Sequence, residues 1–567
     1  NSPTLQLGKQ GRRHLEIMIR SAQKAAENNI ICSADPNSPV EKRIPDFFKR
    51  NNPEALAAGN HFLALDPDHP ESISLLDRYV QAVSGNIRKA GAEKNLFCID
   101  MQREPGFSSI TPYTLKNFRA FLKKRYSSID LMNKYWKSSF KTFADIESVQ
   151  TYFSNSKVAY YDWCIFNNKR FSSHFARMAN IINPYNCREK IPLSITLING
   201  MHWRDRASYN TGYDREQLMK TTSINGCDTR IYPEPDEDFA LEWMNQSMCY
   251  DFQRSLAPEQ PIFDAEWHSI QSLSHIYTDI SPQYVRCALR LATWHGLSAC
   301  HIWSFIFRRL EGNGQYLQGH LHTQPLALEA FARESIKIEE NMEKILPFYN
   351  KPRRVGIYYS LPSAIFDGEE YLNVLKDSYK AFYFNDANLA FVTENMLLSG
   401  NVPAKGIKLL IFPNARYCSP EILKAVEALQ ENGVSILFIG RENLSRNTFN
   451  EKNIFKPIKS TVWPIASNWK EYSAKSSQIV KKAGAAEEYQ VNILDHNRMK
   501  SVEARFAHFD NKDMGYAVNL GKTSITFEVT STRTGRAVRL TNMANGVKTS
   551  VTKVTLAPMG YISFYII

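Results

Sequence analysis

Six short apolar runs, at 30–34, 96–101, 192–198, 226–232, 261–266 and 299–305, punctuate the first 350 residues, with helical patterns among them. Leu15, Met18, Ile19, Ala22 and Ala26 share one helical face, and Asn28-Asn29 then breaks into the first run. Leu75, Leu76, Tyr79, Val80, Val83 and Ile87 share another face, in a stretch opened by Pro70. Thr111-Pro112 is a good N-cap and first-turn pair for a helix carrying Phe118, Phe121 and Leu122. Buried strands alternating with helices over this length predict a parallel barrel or an open α/β sheet.

Lys351-Pro352-Arg353-Arg354 marks a boundary, after which compact strands are predicted at 355–359, 408–412 and 434–439. The helix between the last two is clearly written. Ser419 is its expected cap, Pro420 occupies its first turn, Ile422, Val426 and Leu429 form its apolar face, and Gly433 stops it. This middle region reads as a small doubly wound, flavodoxin-like α/β domain, and without a G-x-G-x-x-G loop it is not read as nucleotide-binding. The last hundred residues hold short β-rich segments at 515–520, 524–529, 537–540 and 561–567. Gly521, Gly535, Asn545-Gly546 and Pro558-Met559-Gly560 separate them, as in an antiparallel β domain. The expected division is 1–350, 351–455 and 456–567, in keeping with a length of 567 residues, too great for one core.

Composition excludes several classes. Hydrophobic residues at 43% and charged residues at 22% are ordinary for a soluble globular chain. No apolar run approaches the roughly 18 residues of a membrane-spanning helix. The nine cysteines are scattered, with no C-x-x-C pair, and read as buried free thiols rather than a disulfide framework or a zinc site. The net charge of +12 carries no Lys/Arg run interleaved with aromatics, so it reads as solubility rather than nucleic-acid binding. The chain opens at Asn1 without a signal-peptide pattern, which suggests processing or truncation. Compartment stays open between periplasm and cytoplasm.

The chemistry sits at two strand ends. In Pro261-Ile262-Phe263-Asp264-Ala265-Glu266-Trp267-His268 an apolar run delivers a carboxylate beside aromatic surface. In Leu96-Phe97-Cys98-Ile99-Asp100-Met101-Gln102-Arg103-Glu104-Pro105-Gly106 a strand again delivers a glutamate, followed by a turn. Glycoside hydrolysis needs one carboxylic acid and one carboxylate across the scissile bond, and Glu104 and Glu266 are the candidates. Secondary candidates for sugar contact are His268, Tyr232, and Asn199, His202 and Trp203 just past the strand ending at Ile198. The expected enzyme needs no cofactor and no metal.

With these residues on the page, the chain resembles the family 42 β-galactosidases. The resemblance is carried by Arg119-Ala120-Phe121-Leu122-Lys123-Lys124-Arg125-Tyr126 with Ile129-Asp130-Leu131-Met132-Asn133-Lys134-Tyr135-Trp136, and by Asp228-Thr229-Arg230-Ile231-Tyr232-Pro233. It continues through the Glu266 strand and His295-Gly296 ahead of Trp303. It implies a (β/α)8 TIM barrel, then a trimerisation-type α/β domain and a small β domain, in a homotrimer. It also implies Glu104 as acid/base after barrel strand four, Glu266 as nucleophile after strand seven, Trp303 as a subsite wall and His61 near the sugar. On that numbering two strands and a helix are expected before Asn1. Arg103 stands where the wider clan usually has Asn. A guanidinium only donates hydrogen bonds, so a β-mannoside or an acidic or sulfated galactan oligosaccharide becomes an alternative to a plain galactoside. In that case Arg103 contacts substrate; otherwise it folds back on Asp100 or Glu104 as an ion pair. The reading from another class is a catalytically inactive, carbohydrate-binding barrel.

Overall fold

The computed structural model describes Arg20, Lys24, residues 32–34 and residues 44–567. Within the last stretch, 58–59, 61–62, 92, 94–95, 148, 188, 199–202, 204–205, 234, 270–279, 304–320, 401, 403–405, 455–457, 496–499 and 544–549 lie outside the description. The helical face expected at 15–26 therefore falls almost entirely outside it. The chain divides into two compact units: Asn1–Asp228 with Ile365–Gly368 and Thr448–Asn450, and Thr229–Ala364 with Glu369–Asn447 and Glu451–Ile567. The fold class is a curled parallel sheet forming a partial barrel, then a flavodoxin-like α/β sheet and small antiparallel sheets, as the strand pattern predicts.

In the first unit β1 (Cys32–Ala34), β2 (Leu96–Arg103), β3 (Leu193–Ile198) and β4 (Asn225–Asp228) pair in that order, all parallel. The β2 and β3 strands are almost continuously buried, the pattern of parallel strands covered on both faces. Gly226 lets β4 approach β3 closely, because a Cβ there would lie 2.3 Å from the Ile195 carbonyl oxygen. Helix α1 (Pro70–Lys89) starts at His69, whose ring accepts the Glu71 N–H. Helix α2 (Pro112–Tyr126) starts at Thr111, whose Oγ1 accepts the Thr114 N–H at 3.1 Å, as its sequence predicts.

The stretch that carries the family resemblance is structural. Phe118, Leu122 and Tyr126 on α2, with Met132 and Trp136 on α3 (Ile129–Trp136), are all buried. Tyr126 and Trp136 among them, with Arg125, reach Asp162 in α4 (Lys157–Ile182), which is wholly shielded from solvent. Tyr126 Oη donates to that carboxylate, Trp136 Nε1 donates at 2.8 Å, and the Arg125 guanidinium lies 2.6 Å away. One buried acid with three donors fixes the angle at which three helices meet.

In the second unit β5 (Ile262–Trp267) and β6 (Leu297–Ile302) are parallel neighbours. Around them in sequence lie α5 (Met244–Leu256) and α6 (Pro282–Trp294). The strands β7 (Val355–Tyr359), β8 (Leu389–Thr393), β9 (Leu409–Pro413), β10 (Ser435–Ile439) and β11 (Thr461–Trp463) form a parallel sheet in the order β8-β7-β9-β10-β11. That is the 2-1-3-4-5 order of a flavodoxin-like sheet. Helix α7 (Glu369–Tyr383) precedes β8, and α8 (Pro420–Glu431) joins β9 to β10. Ser419 does not cap α8 through its side chain; instead its backbone N–H donates to the Glu394 carboxylate at 2.7 Å.

Two antiparallel sheets finish this unit. One is β12 (Tyr489–Ile493), β15 (Ile525–Ser531) and β18 (Lys553–Leu556). The other orders β13 (Val502–Phe509), β14 (Lys512–Asn519), β19 (Tyr561–Ile566), β16 (Leu540–Asn542) and β17 (Ser550–Val551). Phe506, Phe527, Val529 and Phe564 lie in their common core. No helix among the described residues is long and apolar enough to cross a membrane. The eight cysteines whose side chains are described are free, six of them buried.

A buried ionic network ties the second unit together. His295, at the end of α6, has Nδ1 3.0 Å from Asp251 Oδ1 on α5 and Nε2 3.1 Å from Glu503 Oε1 on β13. Tyr383 of α7 donates to the other oxygen of Glu503, and Tyr516 Oη donates to Glu503 Oε1 at 2.8 Å. Arg505 Nη2 stands 3.8 Å from Glu503, and Tyr379 Oη donates to Asp251 at 2.8 Å. Burial alone would lower the pKa of His295, but the two carboxylates hold it up at about 9. Because this lies above the ordinary value of 6.5, the stabilisation is complete below pH 6.5 and is lost as pH rises through 9. Roughly 3 kcal/mol should disappear across that window. Thermal melts from pH 6 to pH 9.5 should show the midpoint falling, and the His295→Gln variant should start lower and lose that slope. A flat wild-type profile would contradict the assignment.

Candidate active site

Glu104 directly follows β2 and takes a φ of +44°, a conformation uncommon outside glycine. Its N–H donates to the Thr196 carbonyl at 2.8 Å, so the neighbouring strand holds the strained residue in place. Such strain persists only where the surroundings over-determine it, and it concentrates at functional sites. Four residues earlier Asp100, fully buried, accepts from the Thr196 N–H at 3.0 Å and from Thr196 Oγ1 at 2.5 Å. Arg103 turns back onto that carboxylate, its Nε 3.5 Å from Asp100 Oδ2. Of the two sequence expectations for Arg103, the ion pair with Asp100 is present.

Tyr213 is a residue that sequence reasoning missed. It is 3% exposed; burial, then the negative charge of Glu104, pushes its phenol well above the ordinary value. It stays a neutral hydroxyl. Arg215, also buried, lowers that shift in part and donates to the Gly226 carbonyl at 3.1 Å. Trp203 is buried within the same unit. Asn199, His202 and His61 lie outside the described residues.

In the second unit Glu266 lies on β5 and is 8% exposed. His268 Nε2 stands 4.0 Å from Glu266 Oε2, and its ring centroid is 6.0 Å from that of Trp303. The Trp303 N–H donates to the Trp267 carbonyl at 3.0 Å, which fixes the end of β6 against β5. The structure thus brings Glu266, His268 and Trp303 together. The main chain of His268 bonds Thr229 and Ile231, at 2.9 and 3.0 Å. Tyr232 lies past the end of β4, half-buried, its main chain paired with Glu242.

The β5 strand repeats the device seen at β2. Asp264 is fully buried and accepts from the N–H of Thr229 at 3.3 Å, from its hydroxyl, and from Tyr250 Oη at 2.7 Å. Trp267 Nε1 donates to Gln246 Oε1 at 2.7 Å, so both polar anchors of the strand reach α5. A carboxylate set in an otherwise apolar run must find donors when buried, and that signal was available in the sequence at both Asp100 and Asp264. Replacing Asp264 by Ala leaves two hydroxyls and an amide without their acceptor and should cost about 3 kcal/mol. Urea denaturation should show it as a lowered midpoint with an unchanged slope; a midpoint equal to wild type would refute the clamp.

The family model described as beta-galactosidase, for glycoside hydrolase family 42, matches residues 44–344. Among solved structures, the family 42 exo-carrageenase of Bacteroides ovatus is similar at 21% identity and a TM-score of 0.79, over 92% of this chain and 73% of that one. The cold-adapted β-galactosidase of Rahnella sp. R3 is similar at 13% identity and a TM-score of 0.73, over 97% and 90%. That of Bacillus circulans sp. alkalophilus is similar at 13% and 0.74, over 97% and 91%. No protein of curated function matches the sequence.

Proposed function

The chain belongs to glycoside hydrolase family 42, whose model matches more than half of it, and from that premise we propose a retaining exo-β-glycosidase that removes terminal β-galactosyl or related residues. Family membership makes it an enzyme, a glycosidase acting on glycan substrates. The observation that carries the finer reading is the matched pair of strand ends. Glu104 in its strained turn and Glu266 on β5 each sit on a strand that a buried Asp–Thr clamp holds.

Glu266, as the carboxylate, attacks the anomeric carbon while Glu104 gives its proton to the departing aglycone oxygen. A glycosyl ester of Glu266 results. Glu104 then takes a proton from water, the water oxygen bonds to the anomeric carbon, and the ester bond breaks to return Glu266 as a carboxylate. Two inversions at one carbon give net retention. In this reading His268 orients Glu266, Trp303 forms a wall for the sugar, and Tyr213 donates a hydrogen bond toward Glu104. Tyr232, Trp203, Asn199, His202 and His61 are proposed sugar contacts. Residues 1–350 would form the catalytic region and 351–455 the surface through which three copies associate, which light scattering of the full chain tests by its mass.

Panels of nitrophenyl β-glycosides should show β-galactoside turnover that Glu266→Ala abolishes. Glu104→Ala should impair substrates with poor leaving groups far more than activated aryl glycosides, and azide should rescue it as the β-glycosyl azide. A first-formed α-anomer in proton NMR would overturn the mechanism.

Arg103 favours a second reading, a sulfated galactan oligosaccharide. Its guanidinium is oriented by Asp100 and adjoins Glu104 in sequence, and a fixed guanidinium suits a sulfate group. The similarity to an exo-carrageenase supports the same direction. Arg103→Asn should then lower kcat/KM on a sulfated oligosaccharide by about tenfold or more while sparing the plain galactoside, because a charge-assisted pair is worth roughly 1.5–3 kcal/mol. Equal losses on both substrates would make Arg103 only an orienting partner of Asp100.

A further inference from the structure

One face of α4 holds together two segments of the first unit, the turn that follows Glu104 and the stretch that leads into Tyr213. Asn167, Arg170 and Phe171 share that face at i, i+3 and i+4. Asn167 is wholly buried. Its amide nitrogen donates to the Phe107 carbonyl and, at 2.7 Å, to the Asn210 carbonyl, while its oxygen accepts from Arg170 Nη1 at 3.1 Å. Carbonyls only accept and a guanidinium only donates, so these partners fix which way the amide points and use both of its hydrogens. Phe107 lies three residues after Glu104, and Asn210 three residues before Tyr213.

Further contacts on the same face act in the same sense. The Phe107 N–H donates to the Thr211 carbonyl at 2.9 Å, which joins the two segments directly. The Phe171 ring meets both Phe107 and Tyr213, with centroids 4.9 and 5.6 Å away. Gly212, at a φ of +94°, lies so close to α4 that a Cβ there would stand 2.8 Å from Phe171 Cβ. Arg170 extends the hold along the loop, donating to the Ser109 carbonyl at 3.1 Å and to its Oγ at 3.0 Å. The turn from Glu104 to Phe107 is therefore pinned at both ends, by Thr196 at the Glu104 N–H and by Asn167 and Thr211 at Phe107. Between those pins Pro105 has its φ fixed by its ring, which leaves the turn little freedom.

We propose that Asn167 is a positioning residue, which by clamping the Phe107 and Asn210 carbonyls sets the Glu104 turn against the Tyr213 segment and so aims the acid at the leaving oxygen. Wholly buried, it acts only through the segments it holds. The proposal rests on the reading of Glu104 as general acid. Its test is kcat/KM on two β-galactosides, one with a methyl and one with a dinitrophenyl aglycone, since only the first needs protonation as it departs. Asn167→Ala should lower the methyl galactoside value by about a hundredfold, the order expected for a reacting group displaced by about 1 Å. The dinitrophenyl value should fall by only about threefold, because little transition-state stabilisation there comes from the acid. Adding Asn167→Ala to Glu104→Ala should cost nothing more, as a residue that works through Glu104 has nothing left to place. Phe171→Leu leaves every one of these hydrogen bonds its donor and acceptor, and should give the same selective loss at about tenfold; it decides the matter if Asn167→Ala does not fold. Equal losses on both aglycones, or a double variant worse than Glu104→Ala, would make Asn167 a packing residue and overturn the proposal. Failure of the underlying reading shows separately, as a Glu104→Ala variant that itself lacks the selective loss, and the proposal falls with it.

Discussion

A buried carboxylate costs several kcal/mol unless donors surround it, and this chain builds one into each strand that delivers a glutamate. Asp100 gathers an amide and a hydroxyl from Thr196, and Asp264 gathers the same pair from Thr229 and a phenol from Tyr250. Each clamp acts sideways, from one strand to the next element, where ladder bonds alone would permit slippage. In a reaction that depends on the placement of two carboxyl groups across one bond, small errors of position carry large rate penalties. In the proposed function the clamps therefore place stability and chemistry on the same strands. The strained φ of Glu104 is affordable because Thr196 holds both the Asp100 side chain and the Glu104 amide.

How much of this was legible in the sequence follows from the same physics. Strands β2, β3 and β5 stand out because burial on both faces demands largely apolar runs, and Glu104 and Glu266 mark the ends of two of them, each preceded inside the strand by a buried aspartate, Asp100 or Asp264. Strand β13 was not legible. Its Val502-Glu503-Ala504-Arg505-Phe506 alternates as a half-exposed strand would, yet Glu503 and Arg505 are buried too, because His295, Tyr383 and Tyr516 arrive from distant positions to satisfy them. Ser419 has the right residue type and spacing for a cap, but a tertiary partner, Glu394, takes the backbone donor beside it. Tyr213 gave no local signal, since its meaning comes only from nearness to Glu104 across the fold. Tertiary satisfaction of polar groups is what a linear pattern does not display.

The family-like stretch from Arg119 to Trp136 illustrates the complementary case. Its aromatic and basic residues carry the family resemblance, and Arg125, Tyr126 and Trp136 among them are spent on Asp162 inside the helical layer. A motif that identifies the family is thus a packing motif, while the residues proposed to touch sugar lie at strand ends with little pattern around them. In the proposed function, Arg103, paired with Asp100 and adjoining Glu104 in sequence, is the position that tells a plain galactoside from a sulfated one.

Covalent trapping tests the central claim most directly. Incubation with a 2-deoxy-2-fluoro-β-galactosyl fluoride slows both steps but lets the first outrun the second, so the glycosyl-enzyme accumulates. Mass spectrometry of the intact protein and its peptides should find one fluorosugar per chain, bound through an ester to Glu266. A label on any other carboxylate, or no label under conditions where the parent β-galactoside is hydrolysed, would contradict the assignment.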